Sequence, residues 1–194
     1  MNELVFATTN RGKLVELEGL VGARLSVRSL KDFPSLGEIA ETADTFEGNA
    51  ALKAVAVAAA TGRWALADDS GLEVDALGGR PGVWSARYAP TDAERIAKLL
   101  SELEGVPAEA RSARFVCALC LASPAGATVF RRGTCEGRIG VTPRGEHGFG
   151  YDPIFVLPSG HTLAELTHEQ KSGLSHRGQA FRAMQPALER LLPR

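Results

Sequence analysis

The sequence predicts an α/β fold built on a mixed β-sheet, and three observations lead there. Short apolar runs alternate with segments of helical spacing between Leu4 and Asp68. Capping signals mark the starts of two intervening helices. Two long strand-like runs, Arg114 to Ala122 and Thr128 to Gly140, flank the turn Ser123-Pro124-Ala125-Gly126 and predict a hairpin. No repeat, low-complexity tract or linker divides the chain. The expectation is therefore one compact unit over residues 1–194, long enough to bury about 70% of its unfolded surface without disulfide or metal staples.

The elements follow in order. Leu4 to Ala7 is an apolar strand, and Lys13 to Leu20 is a helix that Gly22 stops. Leu25 to Leu30 alternates as a strand does. Asp44-Thr45-Phe46-Glu47 fits a capping box, and Gly62 closes the helix behind it. Between Ala50 and Ala60 that helix is apolar on every face except at Lys53, the pattern of a buried helix. Trp64 to Asp68 is a buried strand ending in acid, with Ser70-Gly71 as a turn and Asp75 to Gly82 as loop. Thr91-Asp92-Ala93-Glu94 caps a helix that runs to about Leu103. Beyond the hairpin come a glycine-rich loop from Pro143 to Gly150 and a strand from Ile154 to Leu157. The last helix starts near Ser175, with Phe181, Met184, Leu188 and Leu191 on one face and Pro186 expected to kink or restart it.

Bulk properties exclude some functions. There are 22 basic and 23 acidic residues, a formal net charge of −1, and so no basic excess for nucleic acid or a membrane surface. The apolar run Ala54 to Ala60 is too short to span a bilayer. Met1-Asn2-Glu3-Leu4 lacks the basic lead of a secretory signal. Three cysteines (Cys117, Cys120, Cys135) form no disulfide framework, which places the expectation in a reducing cytoplasm.

Several places could carry chemistry, each with a plainer alternative. Asp68-Asp69-Ser70-Gly71 is either a turn sequence or an acidic site at a strand end. Neighbouring strand residues point to opposite faces, so the two aspartates would not both ligate one metal. Thr8-Thr9-Asn10-Arg11-Gly12-Lys13 either connects strand to helix or offers backbone amides to phosphate at a helix N-terminus. It is not a P-loop, since Ala7 and Leu14 stand where that pattern needs Gly and Ser or Thr. Lys53, with Asn49 one turn before it, either snorkels to solvent or meets an anion. Cys117 and Cys120 lie within an apolar strand without a second pair, and read as buried structural residues rather than zinc ligands. Gly148-Phe149-Gly150 with Asp152 is either a turn over a buried ring or a base-stacking loop. His176-Arg177, preceded by Lys171, opposes the dipole of the helix it opens, either as a solvated cluster or as part of a site.

Taken together, five blocks resemble one family. They are Phe6-Ala7-Thr8-Thr9-Asn10-Arg11-Gly12-Lys13, Glu41-Thr42 with Thr45-Phe46-Glu47-Gly48-Asn49-Ala50, the long run from Ala65 to Ala89, Phe149-Gly150-Tyr151-Asp152-Pro153-Ile154-Phe155, and Ser175-His176-Arg177-Gly178-Gln179-Ala180. The chain resembles, end to end, the inosine/xanthosine triphosphate pyrophosphatases, or Ham1-like family. The resemblance implies an elongated mixed sheet flanked by helices, two lobes with a central substrate cleft, and a homodimer. It implies Mg²⁺-dependent hydrolysis of XTP, ITP and dITP to the monophosphate and pyrophosphate.

Carried onto matching positions, Thr8, Thr9, Asn10, Arg11, Gly12 and Lys13 would hold the triphosphate, helped by Lys53 and Ser70. Glu41 and Asp69 would bind Mg²⁺, and Asp69 would accept the proton of the attacking water. Asp68 would brace the turn or act through a bridging water. Phe149 would stack on the purine within the binding segment Gly150, Tyr151 and Asp152, with Lys171, His176 and Arg177 lining the base. Thr9 and His147 depart from the family, which usually has glycine at both. Rival readings are a pyrophosphatase for pyrimidine or modified nucleotides, and a nucleotide sensor without turnover.

Overall fold

The computed structural model describes residues 3–21 and 25–191. Gly22, the expected stop of the first helix, lies outside them. Among the described residues six strands form one sheet: β1 (Glu3–Phe6), β2 (Ser26–Ser29), β3 (Trp64–Val74), β4 (Ser112–Ala122), β5 (Thr128–Ile139) and β6 (Phe155–Val156), in the order β2-β1-β3-β4-β5-β6. β1 pairs in parallel with β2 and with β3, whereas β5 and β6 are antiparallel, so the sheet is mixed as expected. The helices are α1 (Arg11–Val21), α2 (Phe46–Thr61), α3 (Asp92–Glu102), α4 (His168–Leu174) and α5 (His176–Glu189). Neighbouring β4 and β5 are joined across residues 123–127, where the Ser123 N–H donates to the Ala127 carbonyl at 2.8 Å. A connection that short suits an antiparallel hairpin and not a parallel crossover.

The chain divides into two compact units. The first comprises residues 1–69, 117–133 and 178–194, and the second residues 70–116 and 134–177. In the first, period-2 alternation sorts the sheet into two buried faces. Leu4, Phe6, Leu66, Leu119 and Leu121 pack with Leu17 of α1 and with Phe181, Met184 and Leu188 of α5. Val5, Ala7, Ala65, Ala67 and Cys120 pack with Ala50, Ala54, Val57 and Ala58 of α2. Alanine dominates this second face, and small side chains let a helix lie close to the sheet. The second unit has its own core, in which Leu72, Val74, Phe115, Ile139 and Phe155 meet Leu99 of α3 and Leu103 at its C-terminal cap.

Several local expectations need correction. Asp68-Asp69-Ser70-Gly71 is not a turn, because β3 continues through it to Val74. Leu72 and Val74 are fully buried beyond the acids, so the strand gains more by continuing than by turning. The chain turns instead at Asp75–Leu77, followed by Gly78 and Gly79 at φ 64° and 86°. α2 is capped by Thr45, whose side chain accepts from the Gly48 N–H at 3.1 Å; no box forms with Glu47. Gly62 closes it in the left-handed conformation, as expected. Nor is α2 buried all round, since Leu52 and Val55 are exposed on the side away from the sheet.

Thr91 and Glu94 form the expected capping box on α3. β6 is only two residues long, because Asp152–Ile154 forms a 3₁₀ turn. α4 was not anticipated; its seven residues are too few for a periodic signal, although Thr167 and Gln170 form a capping box. α5 then starts at His176 and runs through Pro186 without restarting. Phe181, Met184, Leu188 and Leu191 are all buried, as their spacing requires. The three cysteines are buried and form no disulfide.

Candidate active site

The acidic pair of β3 is divided by the strand's alternation. Asp68, 1% exposed, lies on the parity of Leu66 and is ion-paired with Lys13 of α1, its two carboxylate oxygens 3.0 and 2.7 Å from Nζ. Asp69, on the parity of Ala65 and Ala67, accepts a hydrogen bond from Asn49 Nδ2 of α2 at 3.0 Å. Each aspartate thus meets the helix that covers its own face. Neither braces a turn, because the strand runs on to Val74.

α2 supplies a second contact to an acid. Asn49 and Lys53 stand one turn apart on the same face. Lys53 Nζ lies 2.5 Å from Glu41 Oε1, so this lysine does not snorkel but pairs with a carboxylate. Asn49 is completely buried, and its Oδ1 accepts from the Ala43 N–H at 2.9 Å, two residues beyond Glu41. Glu41, Asp68 and Asp69 therefore belong to the same unit, each with a cationic or amide partner supplied by a helix.

The Thr8–Lys13 segment is partly helical. Its last three residues, Arg11, Gly12 and Lys13, form the first turn of α1 rather than a loop. Asn10 caps that turn, its Oδ1 accepting from the Lys13 N–H at 3.3 Å. Thr8 is buried and its hydroxyl accepts from the Asn10 N–H at 3.1 Å, while Thr9 and Asn10 are exposed. No acidic residue occupies the first turn of α1. The partial positive charge of this helix start therefore meets no carboxylate from its own first turn.

The remaining predicted residues lie in the second unit. Phe149 is 63% exposed, and so is not the buried ring of the plainer alternative. Asp152 is buried beneath it, accepting from the Phe149 N–H at 2.9 Å and from Lys171 Nζ. The same ammonium sits 5.0 Å from the Phe149 ring centroid, a cation–π contact. Gly148 permits this packing: a Cβ there would come within 2.1 Å of Asp152 Oδ2, and its φ is +82°. Asp92 of α3 holds the next residue, accepting from the Gly150 N–H at 2.7 Å. Tyr151 is buried and donates its hydroxyl to the Ser85 carbonyl at 3.0 Å; burial pushes its pKa up.

His176 and Arg177 are both buried at the start of α5, and the His176 ring stacks on Phe115 at 5.1 Å. They are not a solvated cluster. Ser70 stands half-buried on β3 as the first residue of this unit. Two anchoring contacts escaped the sequence reading, Asp92 to Gly150 and Asn49 to Ala43. Neither has a sequence signature, because each joins a side chain to a backbone amide whose position only the fold sets.

Residues 4–187 fit the sequence profile of the Ham1 family. The chain belongs to that family. It is 52% identical over 198 aligned positions to a dITP/XTP pyrophosphatase of Shouchella clausii, with all of both chains covered. A dITP/XTP pyrophosphatase of an Exiguobacterium species is 55% identical, over 94% of this chain and 95% of its own. Among solved structures, a HAM1 protein from Coxiella burnetii superposes with a TM-score of 0.93 at 44% identity, over 98% of this chain and 100% of its own. The mixed sheet flanked by helices is thus a Ham1 fold.

Proposed function

We propose that this Ham1-family chain hydrolyses the non-canonical purine nucleotides dITP, ITP and XTP to the monophosphate and pyrophosphate, clearing them from the nucleotide pool. The observation that carries the reading is the trio Glu41, Asp68 and Asp69 held by Lys53, Lys13 and Asn49, in a chain 52% identical end to end to a dITP/XTP pyrophosphatase. Three carboxylates would be a poor way to bind a polyphosphate directly. They suit a phosphate site only with cations beside them.

The donor set fits Mg²⁺, which takes oxygen ligands, keeps several waters and is commonly held by one or two carboxylates plus substrate phosphates. Glu41 and Asp69 would hold the ion. When bound, it would neutralise charge on the phosphates and on the departing pyrophosphate.

The protein's own groups do the rest. The amides of Thr8 to Lys13 and the ammonium groups of Lys13 and Lys53 hold the triphosphate, with Ser70 assisting. Asp69 accepts the proton of the water that attacks the α-phosphorus, and pyrophosphate leaves. Phe149 stacks on the purine, with Gly150, Tyr151 and Asp152 beneath it and Lys171 beside it. His176 and Arg177 donate to the 6-keto oxygen of hypoxanthine or xanthine. Adenine presents an amino donor at that position, and a buried polar mismatch costs about 10⁴-fold in favourable cases.

A pyrophosphate-release assay over ITP, XTP, dITP, ATP, dTTP and UTP, with and without Mg²⁺, tests this. Rapid Mg²⁺-dependent release from the first three alone is expected. ATP turned over as fast as ITP would overturn the base selectivity, and preference for dTTP or UTP would transfer the enzyme to another substrate class. We further propose that the enzyme is a cytoplasmic homodimer, in keeping with three cysteines that form no disulfide and with the family resemblance.

A further inference from the structure

We propose that Asn49 is a positioning residue that locks the Asp69 carboxylate and the Glu41-bearing segment into one arrangement. The inference rests on the reading of Asp69 and Glu41 given above. Asn49 is completely buried, and both ends of its carboxamide are used. Nδ2 donates to Asp69 Oδ2 at 3.0 Å, and Oδ1 accepts from the Ala43 N–H at 2.9 Å. A carboxamide is planar, so fixing its acceptor end also fixes the direction of its donor end. The side chain therefore ties β3 to the 41–43 segment through a single rigid group.

Two neighbouring features hold that group in place. Thr45 caps α2 through the Gly48 N–H, which sets the helix start one turn before Asn49. Gly48 lets the segment lie against the helix, because a Cβ there would meet the Ala43 Cβ at 2.6 Å. One turn further on, Lys53 meets Glu41 itself. The first turns of α2 thus act as a template for two carboxylates that come from different parts of the chain. Asn49 touches neither substrate nor reacting atoms on this reading; it works through Asp69.

The test is Asn49→Ala in the full-length enzyme. Loss of a partner that orients a ligand costs about 10–100-fold in metal affinity or activity. The kcat for ITP should fall by that factor with KM within about threefold, and Mn²⁺ binding with an uncleavable α,β-imido ITP, followed by EPR, should weaken likewise. Combined with Asp69→Asn, Asn49→Ala should add little, because both act on one carboxylate. Gly48→Ala should weaken Mn²⁺ binding while leaving Asn49 in the chain.

Wild-type kcat and Mn²⁺ binding in Asn49→Ala would overturn the proposal, as would losses that multiply in the double variant. If Asn49→Ala does not fold, Asn49→Ser carries the same comparison, since its hydroxyl keeps a polar group in the buried site but cannot span both partners. Full turnover in Asp69→Asn would instead refute the parent reading, and this inference with it. An inactive Asp69→Asn beside a normal Asn49→Ala refutes this inference alone.

Discussion

Asp69 is where residue-scale chemistry is most exposed to test. Its carboxylate is 9% exposed and bonded to Asn49, so Asn at this position keeps the shape and a hydrogen-bonding oxygen but loses the charge. Asp69→Asn should fold, judged by its thermal melt, and lose most pyrophosphate release; near-normal release would remove Asp69 from the chemistry. On the proposed reading, Phe149 meets the base end of the substrate. A base stacked on an aromatic ring is worth about 1–3 kcal/mol, so Phe149→Ala should raise KM for ITP roughly 5- to 150-fold with a smaller change in kcat. Gly148→Ala should move KM in the same direction, because its Cβ would displace the Asp152 carboxylate and the Lys171 ammonium that sits 3.1 Å away. Unchanged KM in both variants would argue that the ring does not meet the base.

At the scale of elements, β4 and β5 carry a pH dependence through their cysteines. Burial pushes the thiols of Cys120 and Cys135 up to about 11, and for Cys135 the nearby Glu136 and Asp152 add to it. These are acids whose folded pKa is raised above the unfolded value of about 8.5. Between those values the unfolded chain has lost the thiol proton and the folded chain retains it. Stability is therefore full below about pH 8.5 and falls as the pH rises towards 11, by about 1.4 kcal/mol per pH unit for each thiol. Denaturant midpoints measured from pH 7 to 10.5 should drop above pH 9, and Cys120→Ala should flatten part of that drop. A midpoint independent of pH in this range would refute the assignment.

Across the whole molecule, two compact units each hold part of the predicted set. Thr8 to Lys13, Glu41, Lys53 and Asp69 fall in the first, while Ser70, Phe149 to Asp152, Lys171, His176 and Arg177 fall in the second. No helix among the described residues is long and apolar enough to cross a membrane. The family reading predicts a homodimer, so sedimentation equilibrium should return about twice the 20.6 kDa chain mass at micromolar concentration. A mass that stays at one chain would correct that expectation without touching the chemistry.

Much of this was legible in the sequence because it is local. Period-2 alternation depends only on the order of residues, and it separated Asp68 from Asp69 correctly even though the turn around them was misread. The Thr91–Glu94 box, the Gly62 stop and the apolar stripe of α5 are equally local, and they hold. The misreadings share a cause. A D-D-S-G run satisfies turn chemistry, and only the buried Leu72 and Val74 beyond it, with Lys13 and Asn49 to receive the acids, make continuation as strand the better choice. Sequence alone determined that the two neighbouring acids would take opposite faces of their strand. Tertiary structure decided their partners, joining Lys13 to Asp68 across 55 positions and Asn49 to Asp69 across 20. Charge and hydrogen-bonding capacity reside in single residues, whereas a buried carboxylate's partner is whichever group the packing of α1 and α2 brings to its own side of the sheet.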